Sequence, residues 1–340
     1  MKIRKIMAAG LIIACSALSS CGNSRIDMEK WSFTPKNASN IKIGILQPVE
    51  HDALGAAREG FKKAITDGGV TATFDYQNAN GSESDQNTLA KKMVNEDDLT
   101  LGIGTGASVA LQSSAINSGT TNPILFTAVT DPVDAELVDS LANPGQNVTG
   151  TSDANPVEAQ IDLIKECLPS ATKMGVMYTQ SETNSKVQAD QAKAEAQKQG
   201  LTVVTKTCTG SSDITSVANS ICSEGIQALY IPTDNNIAAH MDAIKNAADS
   251  RHVLVIVGEE SQCKNGGHIT LSIDYFELGY TTGEMAVKII KGQKRPDQIP
   301  VGTMSVEECT YVCSTANLGD AGITLPSTVL AKCTDVSANS

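Results

Sequence analysis

The sequence predicts an α/β protein made of two lobes, each a doubly wound parallel sheet, with a cleft between them. Three observations predict it. Short apolar runs alternate with helix-length amphipathic segments along nearly the whole chain. Strands separated by helices of that length pair in parallel, with helices on both sheet faces. The alternation occurs twice, and 340 residues is long enough for about two domains.

The elements follow in order. Ile41–Leu46 is a short apolar strand. Leu54, Ala57, Phe61 and Ile65 recur at helical spacing, and Gly68-Gly69 closes that helix. Strand-like runs follow at Thr71–Tyr76, Leu101–Gly104, Pro123–Val129 and Asn147–Thr149, with helices near 84–94, 107–117 and 133–140. The second half has strands at Lys173–Tyr178, Leu201–Thr205, Gln227–Ile231 and His252–Val257. Its helices fall near 156–167, 184–199, 212–223 and 236–249, and a last one spans about 275–291. Asn155-Pro156-Val157-Glu158 reads as a helix start, with Asn155 as the N-cap and proline at the first helical position.

The first twenty residues read as an address. Lys2, Arg4 and Lys5 precede an apolar run from Ile6 to Ala14, which is too short to span a bilayer. Leu18-Ser19-Ser20-Cys21 resembles a bacterial lipobox. That signal implies cleavage, lipidation of Cys21 and a membrane anchor through the lipid. Losing three cationic residues and no acids takes the net charge from −12 to −15. An acidic chain lacks the basic face that displaces counterions from phosphate, so nucleic acid is not expected as a partner. Residues 21–40 are polar and aperiodic and read as a tether; Trp31 within it either touches headgroups or packs on the folded body.

Seven cysteines remain after Cys21: Cys167, Cys208, Cys222, Cys263, Cys309, Cys313 and Cys333. Cys309 and Cys313 sit on one predicted strand, roughly 13 Å apart at ~3.3 Å per residue, too far for a direct bond. Each needs another partner, such as Cys333 or Cys263, and an odd count leaves at least one thiol over. The spacing does not suit a metal, and the histidines do not cluster with the cysteines.

Open α/β sheets bind ligands at the carboxyl ends of their strands, so the loops there carry the functional reading. Gly102-Ile103-Gly104-Thr105-Gly106-Ala107-Ser108 runs from strand to helix; its glycines permit close backbone approach, and the helix start favours an anion. It matches neither the dinucleotide fingerprint nor the P-loop, so no cofactor is expected. Thr127 and Thr130 offer hydroxyls, and Asp131 before Pro132 reads as a cap. In the second half the ends are Tyr178–Ser185, Ile231–Asn236, Gly258–Ser261 and Ser272–Tyr275. A cluster of acids and hydroxyls there suits a ligand ammonium group. No nucleophile elbow, zinc-protease motif or histidine beside a nucleophile occurs. The chain is therefore not expected to be an enzyme.

In order along the chain stand the lipobox, Ile43–His51, Phe126–Pro132, Asn147–Asp153, Pro232–Asn235, Gly258–Ser261 and Ile273–Gly279. Together they resemble the substrate-binding lipoproteins of ABC importers related to the tryptophan/tyrosine-binding type, over about residues 41–300. The resemblance implies a type I periplasmic-binding fold with three crossovers and hinge closure on a small ligand, delivered to an ABC permease. It implies lobe 1 from 41–152 and about 274–303, and lobe 2 from 153–273 and about 304–340. An amino acid, most often aromatic, is the implied ligand. Thr105, Gly106, Ala107, Ser108 and Thr130 would take its carboxylate. Asp234, Glu260 or Asp274 would take its ammonium. Gln47, Asp153, Asn184 and Thr233 would complete the wall. The runner-up is a ligand-sensing lipoprotein of the same fold that signals without transport. The segment Glu307–Cys313 and the cysteine count depart from the family pattern.

Overall fold

The computed structural model describes residues 26–337; the leader and Cys21 lie outside them. Two sheets form. Lobe 1 carries β1 (Ile41–Gln47), β2 (Ala72–Asn78), β3 (Leu99–Ile103), β4 (Ile124–Val129) and β5 (Val148–Ser152), in the order β2-β1-β3-β4-β5 and all parallel. Lobe 2 carries β6 (Lys173–Thr179), β7 (Thr202–Cys208), β8 (Ala228–Ile231), β9 (Leu254–Val257), β10 (Ile269–Ser272), β11 (Thr310–Cys313) and β12 (Thr334–Asp335). Its order is β12-β11-β10-β9-β8-β6-β7, and only the β10–β11 pair is antiparallel. The inner strands β3, β4 and β8 are buried at every residue, whereas the edge strands β2 and β7 are half-exposed. That is the pattern of parallel sheets covered on both faces.

Lobe 1 helices are α1 (Asp52–Asp67), α2 (Glu83–Glu96) and α3 (Thr105–Ser118). Lobe 2 helices are α4 (Val157–Cys167), α5 (Thr183–Lys198), α6 (Ile214–Cys222), α7 (Asn235–Ala238), α8 (Met241–Asp249) and α9 (Glu260–Asn265). Helix α10 (Tyr275–Ile290) follows lobe 2 in sequence but packs on lobe 1, in one apolar cluster with Phe61 and Ile65. Glycines make that approach close: a Cβ on Gly279 would lie 1.9 Å from the Ala57 carbonyl oxygen, and one on Gly60 2.0 Å from that of Phe276. Beyond α10 the chain bonds to the β5 edge, where Ser152 N donates to Gly302 O at 2.8 Å. It then returns to lobe 2 as β11, α11 (Thr315–Asp320), α12 (Ser327–Leu330) and β12.

Four local expectations differ. Residues 133–140 form successive turns rather than a helix; Asp131 Oδ1 accepts from the amides of Val133 and Asp134, and Glu136 sits at φ 56°. The helix expected over 236–249 is broken at His240 into α7 and α8. Asn155 does not cap α4, because its Nδ2 donates to Asp153 O and Pro156 takes the cap position. The tether reading fails from Ile26 onward. Met28 is buried, Trp31 and Phe33 pack on the lobe 1 core, and Trp31 Nε1 donates to Thr121 O at 2.7 Å. Apolar burial and Lys36 Nζ on the last carbonyls of α2 hold this strap down.

No helix among the described residues is long and apolar enough to cross a membrane.

Candidate functional site

The strand ends of both lobes meet, and the space between them divides into three. A cavity of about 460 Å³ is lined from lobe 1 by Pro48, Val49, Gln86, Thr105, Gly106 and Val109, and from lobe 2 by Glu182, Asn184, Asn235 and Asn236. A small void of about 10 Å³, room for roughly one water, lies among His51, Ala128, Asp153, Thr233, Asp234, Glu259 and Tyr275. A groove of about 270 Å³ opens on the far side, along Asp52, Glu260, Asp274 and Phe276.

On the lobe 1 wall of the large cavity, α3 begins with nothing to cap it. Its N-cap is Gly104, at φ 85°, and offers no side chain. The amides of the first turn therefore have no partner from the cap, and they carry the positive end of the helix dipole. Thr105 is buried, and its Oγ1 has no hydrogen-bond partner. A buried hydroxyl left without a partner is costly. Gly106 reaches the cavity with only the Gln86 amide near its would-be Cβ.

The lobe 2 wall is built around Glu182. Its Oε1 accepts from Asn236 N and Nδ2, both at 2.9 Å. Its Oε2 accepts from Asn235 N at 2.9 Å and Nδ2 at 2.7 Å. Four N–H donors fix the carboxyl group, a fifth, Asn184 Nδ2, stands at 3.5 Å, and all five are uncharged amides. Burial and the nearby Asp234 carboxylate raise its pKa well above the usual range. Sequence reasoning quoted this loop but passed over Glu182 in favour of Asn184. The signal available was an acid at the end of β6, two residues before Asn184.

The other predicted residues divide among distinct environments. Asn184 lines both the large cavity and the small void, and its Nδ2 donates to Thr233 O at 2.9 Å. Thr233 lines the void and receives a hydrogen bond from Gln188. Asp234 also borders the void, but its oxygens accept from Thr179 N and Oγ1 and from Ile237 N, joining β6 to the start of α7. Asp153 accepts from Thr130 Oγ1 at 3.1 Å and Tyr275 Oη at 2.8 Å, and burial raises its pKa. Glu260 and Asp274 line the far groove instead; Asp274 caps α10 through the amides of Phe276 and Glu277.

Five predicted residues line none of these spaces. Gln47 is fully buried and uses its amide on Val49 O, Glu50 and Arg58, fixing the β1–α1 loop. Ala107 is core, and Ser108 Oγ closes the β3–α3 turn on Gly104 O at 2.8 Å. Thr127 joins a buried hydroxyl ladder through Thr151 to Thr282. Thr130 Oγ1, besides donating to Asp153, accepts from Gln188 Nε2 at 3.2 Å, so it bonds lobe to lobe. His51 makes a second such contact, to Asn235. Burial lowers its pKa, and its Nδ1 is buried without a partner.

Ala128, on the rim of the void, adopts φ 55° where β4 shifts register against β5. An alanine in the left-handed region is strained, and such strain gathers at functional sites. No group of three or more His, Cys, Asp or Glu side chains able to hold a metal occurs among the described residues.

Known proteins share this arrangement. Residues 42–337 match the family described as ABC transporter substrate binding protein. A tyrosine-binding protein of Clostridioides difficile is 36% identical over 315 residues, covering 90% of this chain and 89% of its own. A Streptococcus pneumoniae ABC domain solved in complex with L-Trp superposes with a TM-score of 0.81 at 34% identity, over 87% of this chain and 99% of its own. The ligand-free, open structure of a substrate-binding protein with adhesive properties from Clostridium difficile covers the same shares at 38% identity, yet scores only 0.64. The better fit to the less similar sequence puts the two lobes here nearer the ligand-bound arrangement. With nearly the whole described chain matched, this protein belongs to the ABC transporter substrate-binding proteins, a family that binds solutes and does not transform them.

Proposed function

We propose that this chain is the lipid-anchored, extracytoplasmic receptor of an ABC importer and binds an aromatic L-amino acid in the cavity between its lobes. The observation that carries the reading is the pairing of two unlike walls on one cavity. The uncapped start of α3 and the partnerless Thr105 hydroxyl suit a carboxylate. Glu182, held in place by uncharged amides, suits an ammonium. An α-amino acid supplies both charges in one small molecule.

The aromatic choice is supported by the relatives, one named for tyrosine and one solved with L-Trp. In this cavity the side chain would lie against Pro48, Val49, Val109, Ala110 and Ala135. No aromatic residue lines it: Phe126 and Tyr230 are core, Tyr178 packs into lobe 2, and Tyr275 faces Asp153. Glu182 takes the place given to Asp234, Glu260 and Asp274 by resemblance, because the first is spent inside lobe 2 and the others face a different groove.

Closure is a population shift, since the ligand touches both walls only when the lobes are together. Lipidation at Cys21 would hold the receptor at the membrane beside its permease. The test is calorimetric titration of wild type, Thr105→Val and Glu182→Gln with L-tyrosine, L-tryptophan and L-phenylalanine. Each variant loses a hydrogen bond to a charged group, about 1.5–3 kcal/mol, so affinity falls roughly 10- to 100-fold. Wild-type affinity in both variants would sink the assignment of the two walls.

A further inference from the structure

Helix α2 buries one stripe, made of Gln86, Ala90, Met93 and Val94. The last three join the apolar cluster of Ala107, Ala110 and Leu111 on α3. Gln86 puts an amide where a buried helix stripe calls for an apolar side chain. Breaks of this kind in the local pattern gather at functional sites.

Five glutamines are buried among the described residues, and four of them use their side-chain amides. Gln47 bonds to Val49 O and Arg58, and Gln160 to Gly258 O and Leu271 O. Gln188 bonds to Thr130 and Thr233, and Gln262 to Pro232 O. Gln86 is only 8% exposed, yet neither end of its amide has a hydrogen-bond partner among the described residues. An amide buried in that way is costly, and this one lines the large cavity.

The amide lies on the flank of the first turn of α3. Its Nε2 stands 3.2 Å, and its Oε1 3.6 Å, from the place a Cβ on Gly106 would take. The same turn holds the amides that Gly104 leaves uncapped. One turn further on, the wall becomes apolar at Val109 and Ala110. Gln86 is therefore level with the anionic end of a ligand on this wall rather than with its side chain. A carboxylate has about four lone-pair sites, more than the Thr105 hydroxyl and one or two helix amides fill. The Gln86 amide turns easily about its last bond, which brings its N–H donors to the sites left over.

We propose that Gln86 is a ligand-binding residue, donating from Nε2 to the ligand carboxylate beside Thr105 and the start of α3. The inference rests on the amino-acid reading above, which puts a carboxylate on this wall. It adds a donor from α2 to those from α3, so two helices of lobe 1 hold the carboxylate between them.

The test is calorimetric titration of wild type and Gln86→Glu, each unfolded and refolded to remove carried-over ligand. The probes are L-tyrosine, L-tryptophan and their primary amides. Wild type should prefer each acid to its amide. In Gln86→Glu a second carboxylate faces that of the ligand, and acid binding should fall roughly 10- to 100-fold. The primary amides offer N–H donors to the new carboxylate and should lose less, so the acid-to-amide preference drops by about tenfold or more. An unchanged preference overturns the proposal. Gln86→Met keeps the length and helix propensity of the side chain and gives a readout without ligand. Its ligand-free urea midpoint should lie at or above that of wild type, because an unpartnered amide is gone, while both acids bind more weakly. A lower midpoint means that Gln86 serves the fold, and it overturns the proposal. If wild type binds none of the four probes, the aromatic reading fails separately. The Gln86→Met midpoint then decides: at or above wild type supports a residue kept for a ligand, and below it overturns that.

Discussion

His51 Nε2 lies 3.2 Å from Asn235 Oδ1, joining the loop after β1 to the first turn of α7 across the two lobes. It works with Gln188 Nε2 on Thr130 Oγ1, also 3.2 Å and also lobe to lobe. The lobes thus carry bonds of their own that favour the closed arrangement before any ligand arrives. Asn235 also donates to Glu182, so the latch and the cavity wall share a residue.

The latch predicts a shifted resting population. A net hydrogen bond contributes about 0.5–1.5 kcal/mol, so His51→Ala should lower the ligand-free closed-to-open ratio by up to about tenfold. Small-angle scattering should show a larger radius of gyration for the ligand-free variant, returning to the wild-type value with ligand. Identical ligand-free scattering would mean the contact is not what holds the lobes together.

Glu182 predicts proton release. Its pKa is raised in the empty site by burial and by Asp234, so the ligand-free carboxyl holds a proton into the neutral range. A ligand ammonium favours the ionised form and lowers that pKa. Binding therefore expels a proton, and affinity rises with pH until the empty site is itself ionised. Calorimetry in buffers of different ionisation enthalpy reads the proton count directly. Glu182→Gln should bring the count towards zero; an unchanged count would assign the proton to another group.

The α1–α10 contact predicts a steric cost. Gly279→Ala would put a methyl 1.9 Å from Ala57 O, which is backbone and cannot swing aside. Overpacking of this kind costs typically 1–3 kcal/mol, visible as a lower urea midpoint. Gly319→Ala, at a helical site with nothing within 4 Å of the new Cβ, should leave the midpoint unchanged or slightly higher.

Asp335 predicts acid release of the C-terminal strand. Its pKa is depressed to about 2, against the pull of burial, by hydrogen bonds from Thr315 and Ser337. A depressed carboxyl contributes stability that is present above its unfolded value near 4 and lost as pH falls to about 2. Cysteine-labelling of the reduced protein at Cys333 in a Cys309→Ser background, after brief acid exposure, should speed up across that window. Asp335→Asn should label fast at every pH.

The strand–helix alternation was legible because parallel strands are buried on both faces and read as continuous apolar runs, as β3 and β4 do. The placement of α10 with lobe 1 was implied by the family resemblance and not by periodicity; its physical cause is the fit of Gly60, Gly279 and Gly283 against the facing helix. The missing helix over 133–140 shows the limit of pattern, since Asp131-Pro132 is a sound helix start that here opens turns. In the site, acids at strand ends were visible, but their commitments were not. Asp234 and Asp274 stand directly before helices and serve as caps, while Glu182 stands before α5 without capping it and lines the cavity. An acid before a helix looks the same in sequence whichever of these it does.

The most direct measurement is a calorimetric titration of the chain, unfolded and refolded to remove carried-over ligand, with L-tyrosine, L-tryptophan, L-phenylalanine and their des-amino analogues. The account predicts saturable one-to-one binding of at least one aromatic L-amino acid and none of the des-amino form, because Glu182 would face no ammonium. A folded protein that ignores all three amino acids, or that binds the des-amino analogue equally well, would contradict it.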